Sequence, residues 1–190
     1  MFTVRANFIC IFKTGDNINY NLKILASLYR CFERADQYEK KLLCKPIILL
    51  ISSVTEAVLH DFHLRMRANT VEGVVNLGKS ILQYVQGKKI DQLETYIASA
   101  RKHDLFDMPN SDFYEDLNLL RRLRNRVHIQ NIERDLEEDE GSVFTEARKI
   151  ISEKTLEKVM KTMSSKYPRP ASVADFVNDF ELPWNEHLPA

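Results

Sequence analysis

Apolar and polar positions alternate with helical period over most of the chain. In residues 17–37, Leu22, Leu25, Leu28/Tyr29 and Phe32 form one stripe, and Asn17 after the Thr14–Asn17 break is placed to cap that helix. From Tyr38 to about Ala68 a second helix is expected. Pro46 either marks its first turn or kinks it. Its segment 47–64 is apolar on most faces, as befits the centre of a bundle. Further stripes predict helices over 71–85, 92–102 (capped by Asp91), Asn110/Ser111 to about Gln130, 143–151 (capped by Ser142) and 155–166. The first dozen residues differ. Phe2, Val4, Ala6, Phe8, Cys10 and Phe12 fall at every second position, which suits a short strand. Ile9 and Ile11 spoil its polar face, so a buried helical start is the alternative. The pattern predicts an all-α, up-and-down bundle of four to five main helices with short accessory helices. The expected bundle spans 1–166. A tail, 167–190, carries Val173, Phe176, Val177, Phe180, Leu182 and Trp184 and is expected to pack on the bundle or on a second chain.

Composition narrows the function classes. Lys+Arg and Asp+Glu each total 27, so the formal net charge is zero. A protein that coats duplex nucleic acid usually has a basic excess, so any nucleic-acid contact here needs a local patch. Cys10, Cys31 and Cys44 lie far apart, without metal-type spacing, and read as reduced thiols of a cytoplasmic protein. No segment has the form of a signal peptide, and the apolar run 46–51 is far shorter than the ~20 residues of a membrane span. No cofactor-binding loop, nucleophile elbow or Cys-x-x-Cys pair occurs.

One stretch concentrates chemistry. Between Asp116 and Asn131, leucines alternate with Arg121, Arg122, Arg124 and Arg126, and the run ends in Asn125 and His128. On a helix, Leu117, Leu120, Leu123/Arg124 and Val127 would face the core. Arg121, Arg124 and His128 would share a neighbouring face, with Asn125 beside it. Guanidinium groups fork onto phosphate oxygens. A histidine titrating near neutrality can exchange a proton there. That set fits RNA cleavage without a metal: a base takes the 2′-hydroxyl proton and arginine stabilises charge on phosphorus. The plainer alternative is a salt-bridged surface helix whose histidine caps the last carbonyls. Glu56, embedded in the apolar second helix, needs a cationic or hydrogen-bonding partner. The acidic run 133–140 reads as a solvated loop. His60 and His63 are one turn apart, but nothing completes a metal site around them. His103 and the Met160/Met163 pair read as structural.

Leu120-Arg121-Arg122-Leu123-Arg124-Asn125-Arg126-Val127-His128 resembles the signature of HEPN domains, helical domains of higher eukaryotes and prokaryotes. Their mark is an arginine, often followed by a polar residue, with a histidine four to six residues further on. The apolar helix carrying Ser52–Leu59 with Glu56, and the lead-in over 91–106, are similar to family features. The resemblance spans roughly residues 20–165. Three residues separate Arg124 from His128; Arg122 and Arg121 meet the family spacing with five and six. Which arginine takes the role therefore stays open, as does membership without catalysis. Gln130 stands where members paired with nucleotidyltransferases have tyrosine.

The resemblance implies a four- or five-helix bundle that dimerises through the motif helix. It implies metal-independent endoribonuclease or RNA-binding activity, in a toxin or defence effector with an antitoxin protein as partner. The roles it implies are catalytic for Arg124, Asn125 and His128, substrate-binding for Arg121, Arg122 and Arg126, and supporting for Glu56. A catalytically silent module binding a nucleotide or protein has the same fold. A structural oligomer with a salt-bridged arginine face is the third expectation.

Overall fold

The computed structural model describes residues 1–68, 74, 76–130, 136–137, 139–174 and 176–188. Among these, seven helices and one two-stranded sheet form an all-α bundle: β1 (Phe2–Val4), α1 (Phe12–Arg34), α2 (Gln37–Arg67), α3 (Lys79–Gln86), α4 (Leu93–Lys102), α5 (Phe113–Asn125), α6 (Glu140–Val143), α7 (Glu146–Lys166) and β2 (Phe180–Leu182).

Helix α2 is the axis, packed against α1, α3, α4, α5 and α7. A capping box starts it. The Asp36 carboxylate accepts from the Tyr38 and Glu39 amides, and Glu39 accepts from the Asp36 amide. Pro46 lies inside the helix, which continues through it. The carbonyl deprived of its donor belongs to Leu42, on the exposed face, where water can serve it. Ile47, Ile51, Val54, Val58, Leu59 and Phe62 then bury their side chains in the main core. By length and composition α2 is apolar enough to cross a membrane; half of its most apolar window is buried inside this bundle.

Several expected boundaries move. Helix α1 begins at Phe12 and takes Gly15 into its first turn, where Val177 of the tail sits so close that a Cβ would lie 2.5 Å from its methyls. The acidic side chain of Asp61 in α2 accepts from the Cys10 and Ile11 amides at 2.8 and 2.9 Å, serving donors just ahead of α1 that no local side chain caps. The expected helix over 71–85 falls partly on residues outside those described; the described part is helical from Lys79. Gln92, with Thr95, rather than Asp91, forms the capping box of α4. The helices expected over 143–151 and 155–166 are one, α7, capped by Thr145. Ser142 lies within the short α6. Ser152 and Thr155 do not break α7, because each hydroxyl donates to the carbonyl four residues back.

The tail packs on the bundle. β2 pairs antiparallel with β1, Phe2 opposite Leu182, and Trp184 is buried against Tyr29. Phe176 remains exposed. No disulfide joins the three cysteines: Cys44 is buried in α2, Cys31 is exposed on α1, and Cys10 precedes that helix.

Candidate functional site

Leu117, Leu120 and Leu123 are at most 1 % exposed and fix α5 against the bundle, where it meets α2, α4 and α7. This anchoring holds Arg121, Arg122, Arg124 and Asn125 at the half-exposed rim. The helix stops at Asn125, short of the expected Gln130. Beyond it the amides of Arg126, Val127 and His128 bond to the carbonyls of Leu123, Arg124 and Asn125, three residues back. A turn of three residues rotates the chain further per residue than one of 3.6. The facing of the next two side chains is thereby exchanged relative to the extrapolated helix. Arg126, expected to meet substrate, is 2 % exposed, and Val127, expected in the core, is 55 % exposed.

Arg124, Asn125, Val127 and His128 line one open cleft of about 250 Å³, closed on the other side by Leu49 and Ser53 of α2. The structure thus gathers the three residues given catalytic roles in the sequence. Arg121 and Arg122 are not among its lining residues. Glu56, one turn along α2 from Ser53, forms an ion pair with Arg124, Nη2 to Oε2 at 2.7 Å, and supplies the partner its half-buried carboxylate requires. A guanidinium has five donors, so one carboxylate fixes its orientation without exhausting it. The Ser53 hydroxyl donates to the Leu49 carbonyl, leaving its oxygen as an acceptor at the cleft wall. Leu49 was not singled out in the sequence, and Ser53 appeared there only as part of the apolar helix around Glu56. Their helical spacing with Glu56 is the signal that finds them.

The surrounding charges are committed elsewhere. Glu137 pairs with Arg148 and Glu140 with Lys45, both at 2.6–2.7 Å, so these two residues of the acidic run do not neutralise the arginine strip. Asp139 of that run accepts from the Ser142 hydroxyl, and 133–135 and 138 lie outside the described residues. Next to Glu56, the Tyr96 phenol shares a 2.8 Å hydrogen bond with His60 Nδ1. Burial, then the Glu56 and Asp91 charges, hold that phenol above its ordinary range.

His60 and His63 both pack against the Tyr96 ring, at centroid distances of 5.8 and 4.8 Å. His63 is buried and donates from Nδ1 to the Leu59 carbonyl at 2.8 Å, and burial pushes it down to about 4. No cluster of three metal-type ligands occurs among the described residues. His103 ends α4, its ring edge-on to Tyr84. Met160 and Met163 are core.

A second polar cluster was not visible in the sequence. In α7, Lys149, Glu153 and Glu157 are buried. Glu153 binds Lys149 at 2.7 Å, the Tyr29 hydroxyl, and His187 Nε2 at 2.7 Å. Glu157 accepts from the amides of His187 and Leu188 at 3.0 and 2.8 Å and pairs with Lys161. Burial would raise the Glu157 carboxyl, but these donors outweigh it and hold the group below its usual range. The cluster fastens the tail to α7.

Comparison with protein-family models, with curated proteins and with solved structures finds no match to this chain.

Proposed function

We propose that the α5 cleft is the active site of a HEPN-like, metal-independent endoribonuclease acting in the cytoplasm. The observation that carries the reading is the convergence of Arg124, Asn125 and His128 on one open cleft, with Arg124 held by Glu56. In this proposal the His128 imidazole takes the 2′-hydroxyl proton. The 2′-oxygen attacks phosphorus, the bond to the 5′-oxygen breaks, and that oxygen leaves with a proton, giving a 2′,3′-cyclic phosphate. Arg124 binds the non-bridging oxygens as charge develops. Asn125 orients the phosphate, and Arg121 and Arg122 hold flanking phosphates from the rim. Exposed Val127 and Ile129 beside the cleft favour a second copy docking there, which brings two cleavage sets together. In the same proposal the protein acts as a toxin or defence effector, restrained by an antitoxin.

One specific observation favours a second reading, a silent RNA- or nucleotide-binding module. The Glu56 carboxylate that positions Arg124 also offsets its charge. RNA incubated with the protein in EDTA separates the two. The nuclease yields cyclic-phosphate ends, and His128→Ala lowers the rate by about 10²-fold or more. Binding without cleavage by the folded protein overturns the nuclease in favour of the silent module.

A further inference from the structure

A cavity of about 580 Å³, larger than the α5 cleft, opens at the other end of α5 and shares no lining residue with that cleft. Its size falls in the range of small-molecule sites. The first turn of α5 forms one wall, with Asp112 and Asp116. One face of α7 forms the other, with Lys154 and Lys158. Each pair is spaced by four residues, so both members of a pair share a face. Phe113, Met108 and Leu188 supply the apolar surface.

The charges on these walls differ from the other ion pairs of α7. Lys161, which also lines the cavity, is committed to Glu157 and Glu186. Lys154 and Lys158 form no ion pair among the described residues. Burial, then the neighbouring Asp112 and Glu115 charges, hold the Asp116 carboxyl above its usual range, and only Lys154 acts against them. An anion in this cavity would face the two aspartates, and a cation the two lysines. A ligand bearing both charges satisfies both walls without stranding either.

We infer that this cavity binds a small zwitterion with an apolar body, an amino acid or the short peptide with the same end charges. Its carboxylate lies toward Lys154 and Lys158, its ammonium toward Asp112 and Asp116, and its side chain against Phe113, Met108 and Leu188. The site stands independently of the RNA reading. Leu188 belongs to the tail that Glu157 and Lys161 hold, so an occupant also packs on the tail.

Isothermal titration calorimetry on the full chain tests this, with phenylalanine and the dipeptide Phe-Leu as probes. N-acetylphenylalanine and phenylalaninamide are the one-charge controls. At least one zwitterion binds, and which of the two binds identifies the free amino acid or the peptide as the source. Its affinity falls by about tenfold or more in each control and in both Lys158→Ala and Asp116→Asn. Circular dichroism confirms that the variants fold, and hydrogen exchange of residues 186–188 slows when the ligand is bound. Absence of binding by both zwitterions at millimolar concentration overturns the proposal. So does a one-charge control that binds as tightly as its parent, or affinity unchanged in both variants.

Discussion

Replacing Glu157 with alanine tests how the tail is held. The carboxylate is fully buried and takes three donors: the His187 and Leu188 amides at 3.0 and 2.8 Å and the Lys161 ammonium at 3.0 Å. A hydrogen bond to a charged group contributes about 1.5–3 kcal/mol, so three at face value contribute roughly 4.5–9 kcal/mol. Two effects reduce that sum. The variant no longer buries a carboxylate, and the released amides belong to the half-exposed His187 and Leu188, where water can reach them. Trp184 and the β1–β2 pairing still hold the rest of the tail. The expected loss is about 3 kcal/mol at neutral pH, read from urea unfolding.

Its pH dependence has a definite sign. The folded-state carboxyl is held below its unfolded value, so this stability is complete above the unfolded value. It is lost as pH falls through the folded one. The gap between the wild-type protein and Glu157→Ala therefore narrows in the acid range. Lys161→Ala, which removes one partly exposed donor, costs only about 1 kcal/mol. A Glu157→Ala loss below about 1 kcal/mol, or a gap that persists unchanged at acid pH, refutes the reasoning.

Three further outcomes are expected. Gly15→Ala drives a Cβ into Val177 and destabilises the chain by about 1–3 kcal/mol in thermal melts, against the usual helix gain from alanine; no change contradicts the contact. His63 is buried neutral, with its folded value near 4 against 6.5 unfolded, so the unfolded chain binds the extra proton between those values and stability falls with pH there. Relative to the wild-type protein, His63→Leu therefore gains about 3 kcal/mol between pH 7 and 4 in denaturant titrations, and parallel curves refute it. Glu56→Ala costs about 1 kcal/mol in stability because the pair is partly exposed, yet lowers RNA cleavage by about tenfold or more by releasing Arg124; Glu56→Gln recovers part of the rate.

The helices were legible wherever an apolar stripe met a core. The leucines of α5 and the apolar face of α2 carry their own periodicity. Boundaries failed where a distant contact decides them. Gly15 reads as a break, but the helix passes through it because Val177, far along the chain, packs there. The apolar stripe of α7 gives no sign that Glu153 and Glu157 are buried, but Tyr29 and the 187–188 segment cover them. In the candidate site, the types and spacing of Arg124, Asn125 and His128 were legible. The tightening after Asn125 was not, and it sends Arg126 inward and Val127 outward. Periodicity carries a helix forward with no information about where its hydrogen bonding changes.

The proposed cleft chemistry requires a 2′-hydroxyl and no metal. An oligodeoxynucleotide with a single ribonucleotide, incubated with the protein in EDTA, isolates that requirement. Cleavage only on the 3′ side of the ribose, leaving a 2′,3′-cyclic phosphate and lost in His128→Ala, is the predicted result. Cleavage at deoxynucleotides, or ribose cleavage that survives His128→Ala, would contradict it.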